Sequence, residues 1–303
     1  MSGPVATRID SGKCIGCGLC VAVCPDRTIS LVGDKAAICG AECISCGHCQ
    51  AVCPAGAVTV PVIAAPMDFA TFKEDLHWLP FGDYDLAGLV RLMRSRRSCR
   101  NFTGQQVSRE VLADLVKIGT SAPSGTNSQG WTFTILDQRE AVIRFGNQVA
   151  AFFRKLNSLA ANPLLRLASR LFARDRLGSY YRSYYQTIAQ GLREWQEEGR
   201  DRLFHGATAV MLVGGRDDAS CPAEDALLAT QNILLAAHAM GLGSCLIGFA
   251  VEAIRHDPAI KGWLAIPAGE SVFAVIALGY PAEKYQQVCG RKPVAPRYPK
   301  LVK

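Results

Sequence analysis

Between Cys14 and Pro54 the chain writes one pattern twice. The run Cys14-Ile-Gly-Cys17-Gly-Leu-Cys20-Val-Ala-Val-Cys24-Pro25 returns as Cys43-Ile-Ser-Cys46-Gly-His-Cys49-Gln-Ala-Val-Cys53-Pro54. Beyond the cysteines, Ile15/Ile44, Gly18/Gly47, Ala22/Ala51 and Val23/Val52 coincide. Thiols at this density and register act as ligands, as a disulfide scaffold or as nothing in common. A disulfide framework requires an oxidising compartment. Structural zinc prefers separate C-x₂-C pairs with four ligands per ion, a poor fit to two runs of four.

The repeat resembles bacterial two-cluster ferredoxins, whose run is C-x₂-C-x₂-C-x₃-C-P. Three thiolates at two-residue gaps suit a cubane, because a tight turn points successive sulfurs at successive irons. In the resembled motif the fourth cysteine ligates the other cluster. The resemblance therefore implies one [4Fe–4S] cluster on Cys14, Cys17, Cys20 and Cys53, and a second on Cys43, Cys46, Cys49 and Cys24. Of the other cysteines, Cys39 stands four residues before Cys43 and reads as a bystander, while Cys99, Cys221, Cys245 and Cys289 are scattered. His48 sits inside the second run.

The 303 residues have room for a small unit and a larger domain with its own core. The first ten residues lack the apolar stretch of a signal peptide, and no apolar run reaches spanning length. The expectation is a cytoplasmic protein without a transmembrane segment. The net charge of +7 invites a nucleic-acid partner. Thiolate-bound clusters and a bound phosphate would offset most of it, and no aromatic-interleaved basic stripe supports that partner.

Residues 1–62 read as the cysteine unit and 63–82, with Pro66 and Pro80, as a linker. From 83 to 303 the pattern is of long amphipathic and buried segments. Leu86, Leu89, Val90 and Met93 mark a helix, and Ser108 caps another bearing Val111, Leu112, Leu115 and Val116. Trp131–Leu136, Ala207–Gly214 and Val272–Leu278 read as strands, and Glu224–Met240 as a buried helix. A helical insertion is expected at about 150–203, with an arginine face over packed tyrosines. The fold class is α+β: a small ferredoxin-like unit, then a mixed α/β domain with a central sheet flanked by helices.

Three short stretches carry the larger domain's chemistry. Arg96-Arg97-Ser98-Cys99-Arg100 offers cations around a hydroxyl, suited to a phosphate. Ala122 to Trp131 is a run of turn formers leading into a strand. Gly241-Leu242-Gly243-Ser244-Cys245-Leu246-Ile247-Gly248 reads as a glycine-rich hinge after a helix; lacking a preceding strand, it is no dinucleotide-binding turn. Together and in this order they resemble the nitroreductase family of flavin enzymes. The resemblance implies that Arg96 and Ser98 hold the FMN phosphate and ribityl end with Arg97 between them. It puts Arg100 beside the pyrimidine ring. Pro123, Ser124, Gly125 and Asn127 match the loop that reaches FMN from the neighbouring subunit, and Leu246, Ile247 and Gly248 the segment facing flavin N5. Arg291 and Lys292 match a C-terminal basic pair on the phosphate. Gly130 stands where the family usually has proline, and Leu246 where relatives with a ferredoxin unit often have tryptophan.

The implied protein is a homodimeric, FMN-dependent oxidoreductase with FMN at the interface. An external low-potential donor, such as a ferredoxin or flavodoxin, would feed two [4Fe–4S] clusters, then FMN, then a small conjugated acceptor: a nitroaromatic, quinone or enone. Reductive dehalogenation or flavin modification on the same fold is an alternative, and a non-enzymatic electron carrier or redox sensor another. No histidine or carboxylate stands out from the sequence as a general acid.

Overall fold

The structure, a computed structural model, describes residues 3–63 and 66–299. The cysteine unit is built from short pieces: β1 (Gly3–Pro4), β2 (Arg8–Ile9), α1 (Leu19–Ala22), β3 (Ile29–Val32), β4 (Lys35–Ile38), β5 (Glu42–Cys43), α2 (His48–Ala51) and β6 (Val58–Thr59). Three two-stranded antiparallel ribbons result, pairing β1 with β5, β2 with β6 and β3 with β4. The sequence repeat becomes a structural one. Gly18 and Gly47 precede the two helical turns at φ 73° and 74°, left-handed positions that suit glycine.

Residues 66–85 contain no helix or strand. They are tied down at residues 68–71, because buried Asp114 accepts hydrogen bonds from Ala70 N (3.0 Å), Thr71 N (2.7 Å) and Thr71 Oγ1 (2.7 Å) and Lys117 Nζ donates to Asp68 O at 2.6 Å.

Then follow α3 (Leu86–Ser95), α4 (Arg109–Gly119), β7 (Trp131–Leu136), α5 (Arg139–Ala161), α6 (Pro163–Phe172), α7 (Arg176–Ser183), α8 (Tyr185–Glu198), β8 (Ala209–Arg216), α9 (Pro222–Ala239), β9 (Gly243–Leu246), α10 (Gly248–His256), α11 (Pro258–Trp263) and β10 (Glu270–Gly279). Helix starts follow local chemistry. Asp85, Ser108, Asn162 and Asp257 accept capping bonds, and Pro163, Pro222 and Pro258 occupy the first turn.

The sheet runs β7-β8-β10-β9 and is antiparallel throughout. Helices cover both faces, so β8 and β10 are buried on both sides. Their residues still alternate: Val210, Leu212, Val275 and Ala277 pack with Phe145, Val149 and Ile254 of α5 and α10. Met211, Val213, Ile276 and Leu278 pack with Leu112, Leu115, Ala229 and Ile233 of α4 and α9.

One expectation is corrected. The glycine-rich stretch after α9 is not merely a hinge, since Gly243–Leu246 is the edge strand β9, paired with Ile276–Gly279. In the helical insertion Arg166 does lie over a tyrosine, Tyr181, at 4.1 Å from the ring centre. The apolar face of α6 is however unpacked, with Leu164, Leu167, Leu171 and Phe172 all exposed.

Candidate functional site

The two cysteine runs fold around two cavities. One is lined by Cys14, Cys17, Cys20 and Cys53, the other by Cys24, Cys43, Cys46 and Cys49 together with His48. The fourth thiol of each run thus faces the cavity of the other. Cys39 lines neither and is exposed. Backbone amides are aimed at the sulfurs: Ala36 N at Cys14 Sγ (3.4 Å), Thr28 N at Cys24 Sγ (3.3 Å), Ser45 N at Cys43 Sγ (3.2 Å) and Ala57 N at Cys53 Sγ (3.3 Å). These donors favour thiolate; that from Ala36, helped by Gly16, lowers the Cys14 pKa. Burial pushes Cys20 and Cys49 the other way. Among the described residues no three His, Cys, Asp or Glu converge on a point as a single ion requires. Four sulfurs around a cavity suit a polynuclear cluster instead.

The arginine stretch lies against the β9 edge of the sheet. Cys99 N donates to Ser244 O at 2.9 Å, and Ser98 bridges to Ser244. This approach needs glycine: a Cβ on Gly243 would stand 2.8 Å from both Cβ and Sγ of Cys99, and one on Gly279 would stand 2.8 Å from Phe102 Cδ1. Arg96, Arg97 and Cys99 then line an open depression with Gly243, Ser244 and, from the tail, Glu283 and residues 285–288. Burial, then the like charges of Arg97 and Arg291, lower the Arg96 pKa. Arg96, Arg97 and Arg100 pair with no carboxylate among the described residues. The Ser244 hydroxyl is buried without a hydrogen-bond partner there. Unneutralised cations beside an orphaned hydroxyl fit the phosphate end of a nucleotide cofactor such as FMN. Arg291 reaches this group electrostatically, whereas Lys292 is exposed on the tail. Leu246 is half exposed, Ile247 is buried, and Gly248 opens α10 onto free space.

The structure does not bring the 123–127 loop to this depression within one chain. The loop is held at the other edge strand. Gly125 N and Ser128 Oγ donate to the buried Asp225 carboxylate at 2.9 and 3.3 Å, and Trp131 Nε1 to its backbone oxygen at 3.2 Å. Ser124 Oγ accepts from Gln129 N at 3.0 Å, and Pro123 is exposed. Asn127 Nδ2 donates to the carbonyls of Ile44 and Ser45, both at 3.0 Å, inside the second cysteine run.

A further site has no sequence motif. Under α5 and α8 lies an apolar chamber of about 310 Å³, with Val149, Phe153, Trp195, Phe249 and Ile188 in its walls and Arg100 and His205 in its lining. Burial lowers the His205 pKa, with Asp201 opposing and Arg100 and Arg202 adding. His205 escaped sequence reading because nothing local distinguishes it; its left-handed backbone (φ 58°) shows only in the fold.

A profile of the nitroreductase family matches residues 93–280, and one of the 4Fe-4S dicluster domain matches residues 6–54. The chain belongs to the nitroreductase family. It is an FMN-dependent oxidoreductase carrying two [4Fe–4S] clusters on its N-terminal unit. Its relatives include a family member from Methanothermobacter thermautotrophicus, 45% identical over 195 residues, 64% of this chain and 78% of that one. Another is the 4-nitrobenzoate reductase of Nocardioides sp. (strain LMS-CY), 23% identical over 209 residues, 62% of this chain and 78% of that one. Among solved structures, a Bacteroides fragilis nitroreductase with bound FMN aligns at a TM-score of 0.48 with 20% identity, covering 71% of this chain and 98% of that one. No described helix is long and apolar enough to cross a membrane.

Proposed function

We propose that this nitroreductase-family protein takes single electrons from an external low-potential donor and delivers them in pairs to a small conjugated acceptor. The eight cysteines of the two runs, Cys39 excluded, hold the clusters. The observation that carries the reading is shared lining: Arg100 ends the cationic stretch suited to FMN and also borders the apolar chamber. FMN supplies the chemistry that joins the two halves, accepting electrons singly and releasing them two at a time.

The chain's own residues do the rest. Arg96, Arg97 and Arg291 neutralise the phosphate, with Ser98 and Ser244 offering hydroxyls. Arg100 stands by the flavin pyrimidine edge and favours added negative charge there. Phe153, Trp195 and Phe249 form an apolar wall that excludes water and suits a flat ring; about 310 Å³ admits a small aromatic molecule rather than a polymer. His205, neutral at pH 7, offers an imidazole N–H at the chamber wall to an oxyanion developing on the acceptor. The working unit is a homodimer, because the depression and the 123–127 loop occupy different edges of one chain.

The test is anaerobic. The protein is reduced through a ferredoxin-type donor, then mixed with a nitrobenzoate, a benzoquinone and a cyclic enone. Reoxidation of the flavin absorbance with stoichiometric product supports the reading. Inertness toward all three overturns it in favour of a carrier or sensor.

A further inference from the structure

Asn127 ties the second cysteine run to a loop of the larger domain, and the tie is built rather than incidental. Thr126, Asn127 and Gln129 all take positive φ (50°, 53° and 47°), a costly conformation for residues other than glycine. Asp225 holds both ends of the segment. Gln129 Nε2 donates to Asn127 Oδ1 at 3.2 Å, fixing the amide so that its NH₂ faces Ile44 O and Ser45 O. Ser45 in turn donates its N–H to Cys43 Sγ. One hydrogen-bonded path therefore runs from Asn127 to a thiol of the cavity lined by Cys24, Cys43, Cys46 and Cys49.

The flavin-facing segment of the same chain is remote from this contact. Leu246 pairs with Ile276 and Ile276 with Met211, whereas β7 starts with Trp131 opposite Gly215. Four residues along β8 at about 3.4 Å each, and three strand spacings of about 4.8 Å, separate these corners by roughly 20 Å. The loop bearing Asn127 leads into the Trp131 corner, and electron tunnelling weakens steeply over such distances. Both corners are open at the surface: Leu246 at one, Pro123, Thr126 and Gln129 at the other. A two-fold axis that sets the first corner of one copy on the second corner of its partner makes both contacts at once.

We infer that electrons leave each ferredoxin-like unit through the Cys24/Cys43/Cys46/Cys49 cluster and pass to the flavin of the partner subunit, with Asn127 as the positioning residue of that crossing. This rests on the cofactor reading above. Each crossing oxidises the cluster by one electron. Two crossings and one solvent proton convert FMN to FMNH⁻, and the external ferredoxin- or flavodoxin-type donor restores both electrons.

Mixed dimers separate the routes. In the trans pair, one chain carries Cys46→Ser and keeps its flavin site, and the other carries Arg96→Glu and keeps its clusters. In the cis pair, one chain carries both substitutions and the other is wild type. Two affinity tags isolate each pair, and iron and flavin analysis show first whether the cofactors are present, so failure of the cofactor reading is seen separately. After mixing with reduced donor, flavin absorbance in the trans pair should bleach at close to the wild-type rate, and in the cis pair about tenfold slower or worse. A fast cis pair overturns the inference, whatever the trans pair does, and so does a slow trans pair with full cofactor content. Asn127→Ala leaves every thiol in place. It should keep iron content, slow bleaching per bound flavin about tenfold, and speed amide hydrogen exchange across residues 43–47. Unchanged bleaching and exchange would remove Asn127 from the path.

Discussion

Arg100 illustrates how far one side chain can be read. It is exposed in the single chain and lines the chamber beside His205. Two-electron reduction leaves negative charge on the flavin pyrimidine, and a fixed cation there stabilises the reduced form over the oxidised. Arg100→Ala should lower the flavin midpoint by tens of millivolts, about 30 mV for each ~1.4 kcal/mol lost, with iron content unchanged. Potentiometric titration of the flavin absorbance checks it; an unmoved midpoint would place Arg100 outside the site. Gly243 makes a second case. An added Cβ meets the Cys99 side chain at 2.8 Å, so Gly243→Ala should cost about 1–3 kcal/mol and push the arginine stretch off β9. Thermal melting and FMN titration should both register it, while Gly248→Ala, facing open space, should leave stability nearly unchanged. The cysteine runs were legible because their chemistry is local, with gaps of two and three residues. Asn127, His205 and Asp225 were opaque as partners because what they meet is brought in by the fold from up to about a hundred positions away.

At the scale of elements, alternation in the sequence made β7 readable and continuous apolar runs made β8 and β10 readable as strands covered on both faces, and end residues moved by only a few positions. β9 was missed because Gly243, Ser244 and Cys245 lack strand propensity. Tertiary pairing with β10 and the close approach of Cys99 decide that segment. Helix α6 shows the limit from the other side, because Leu164, Leu167 and Leu171 share an apolar face that the single chain leaves exposed. The segment before α3 carried no periodic signal, yet Asp114 of α4 anchors it. Burial raises that carboxyl's pKa, but hydrogen bonds from Ala70 and Thr71, with Lys117 adding, bring it down to about 2 from 3.8. A carboxylate depressed on folding stabilises the fold above its ordinary pKa and loses that contribution as pH falls, here between about 4 and 2. The linkage is about 2 kcal/mol at neutral pH. Asp114→Asn should lower stability by that order at pH 7 and much less at pH 2.5, read from urea melts at both pH values. An equal loss at both would show that the carboxylate charge is not what holds the segment.

For the whole molecule, the question is what covers the surfaces one chain leaves open. Helix α3 has no buried residue, and Leu86, Val90 and Met93 are exposed on it. Leu227 and Leu228 of α9 are exposed as well. Single exposed leucines are ordinary; an entire amphipathic helix without a buried residue, running into the arginine stretch, needs a cover. A second copy is the economical cover, because the same two-fold contact would close the depression over the proposed phosphate site and bring a 123–127 loop to it. Cofactor retention and assembly would then be linked through the larger domain, while the two cysteine-lined cavities, whose eight thiols lie between Cys14 and Cys53, would not be. Val90→Asp with Met93→Asp should therefore yield a monomer by light scattering that binds FMN far more weakly, since half of its site is gone. The iron content should stay at about eight per chain, and Cys39→Ser should not alter it. Wild-type protein should be dimeric and yellow-brown with both cofactor types. A charged α3 variant that remained dimeric, or a monomer that held FMN as tightly as wild type, would show that this face is covered by something other than a second copy.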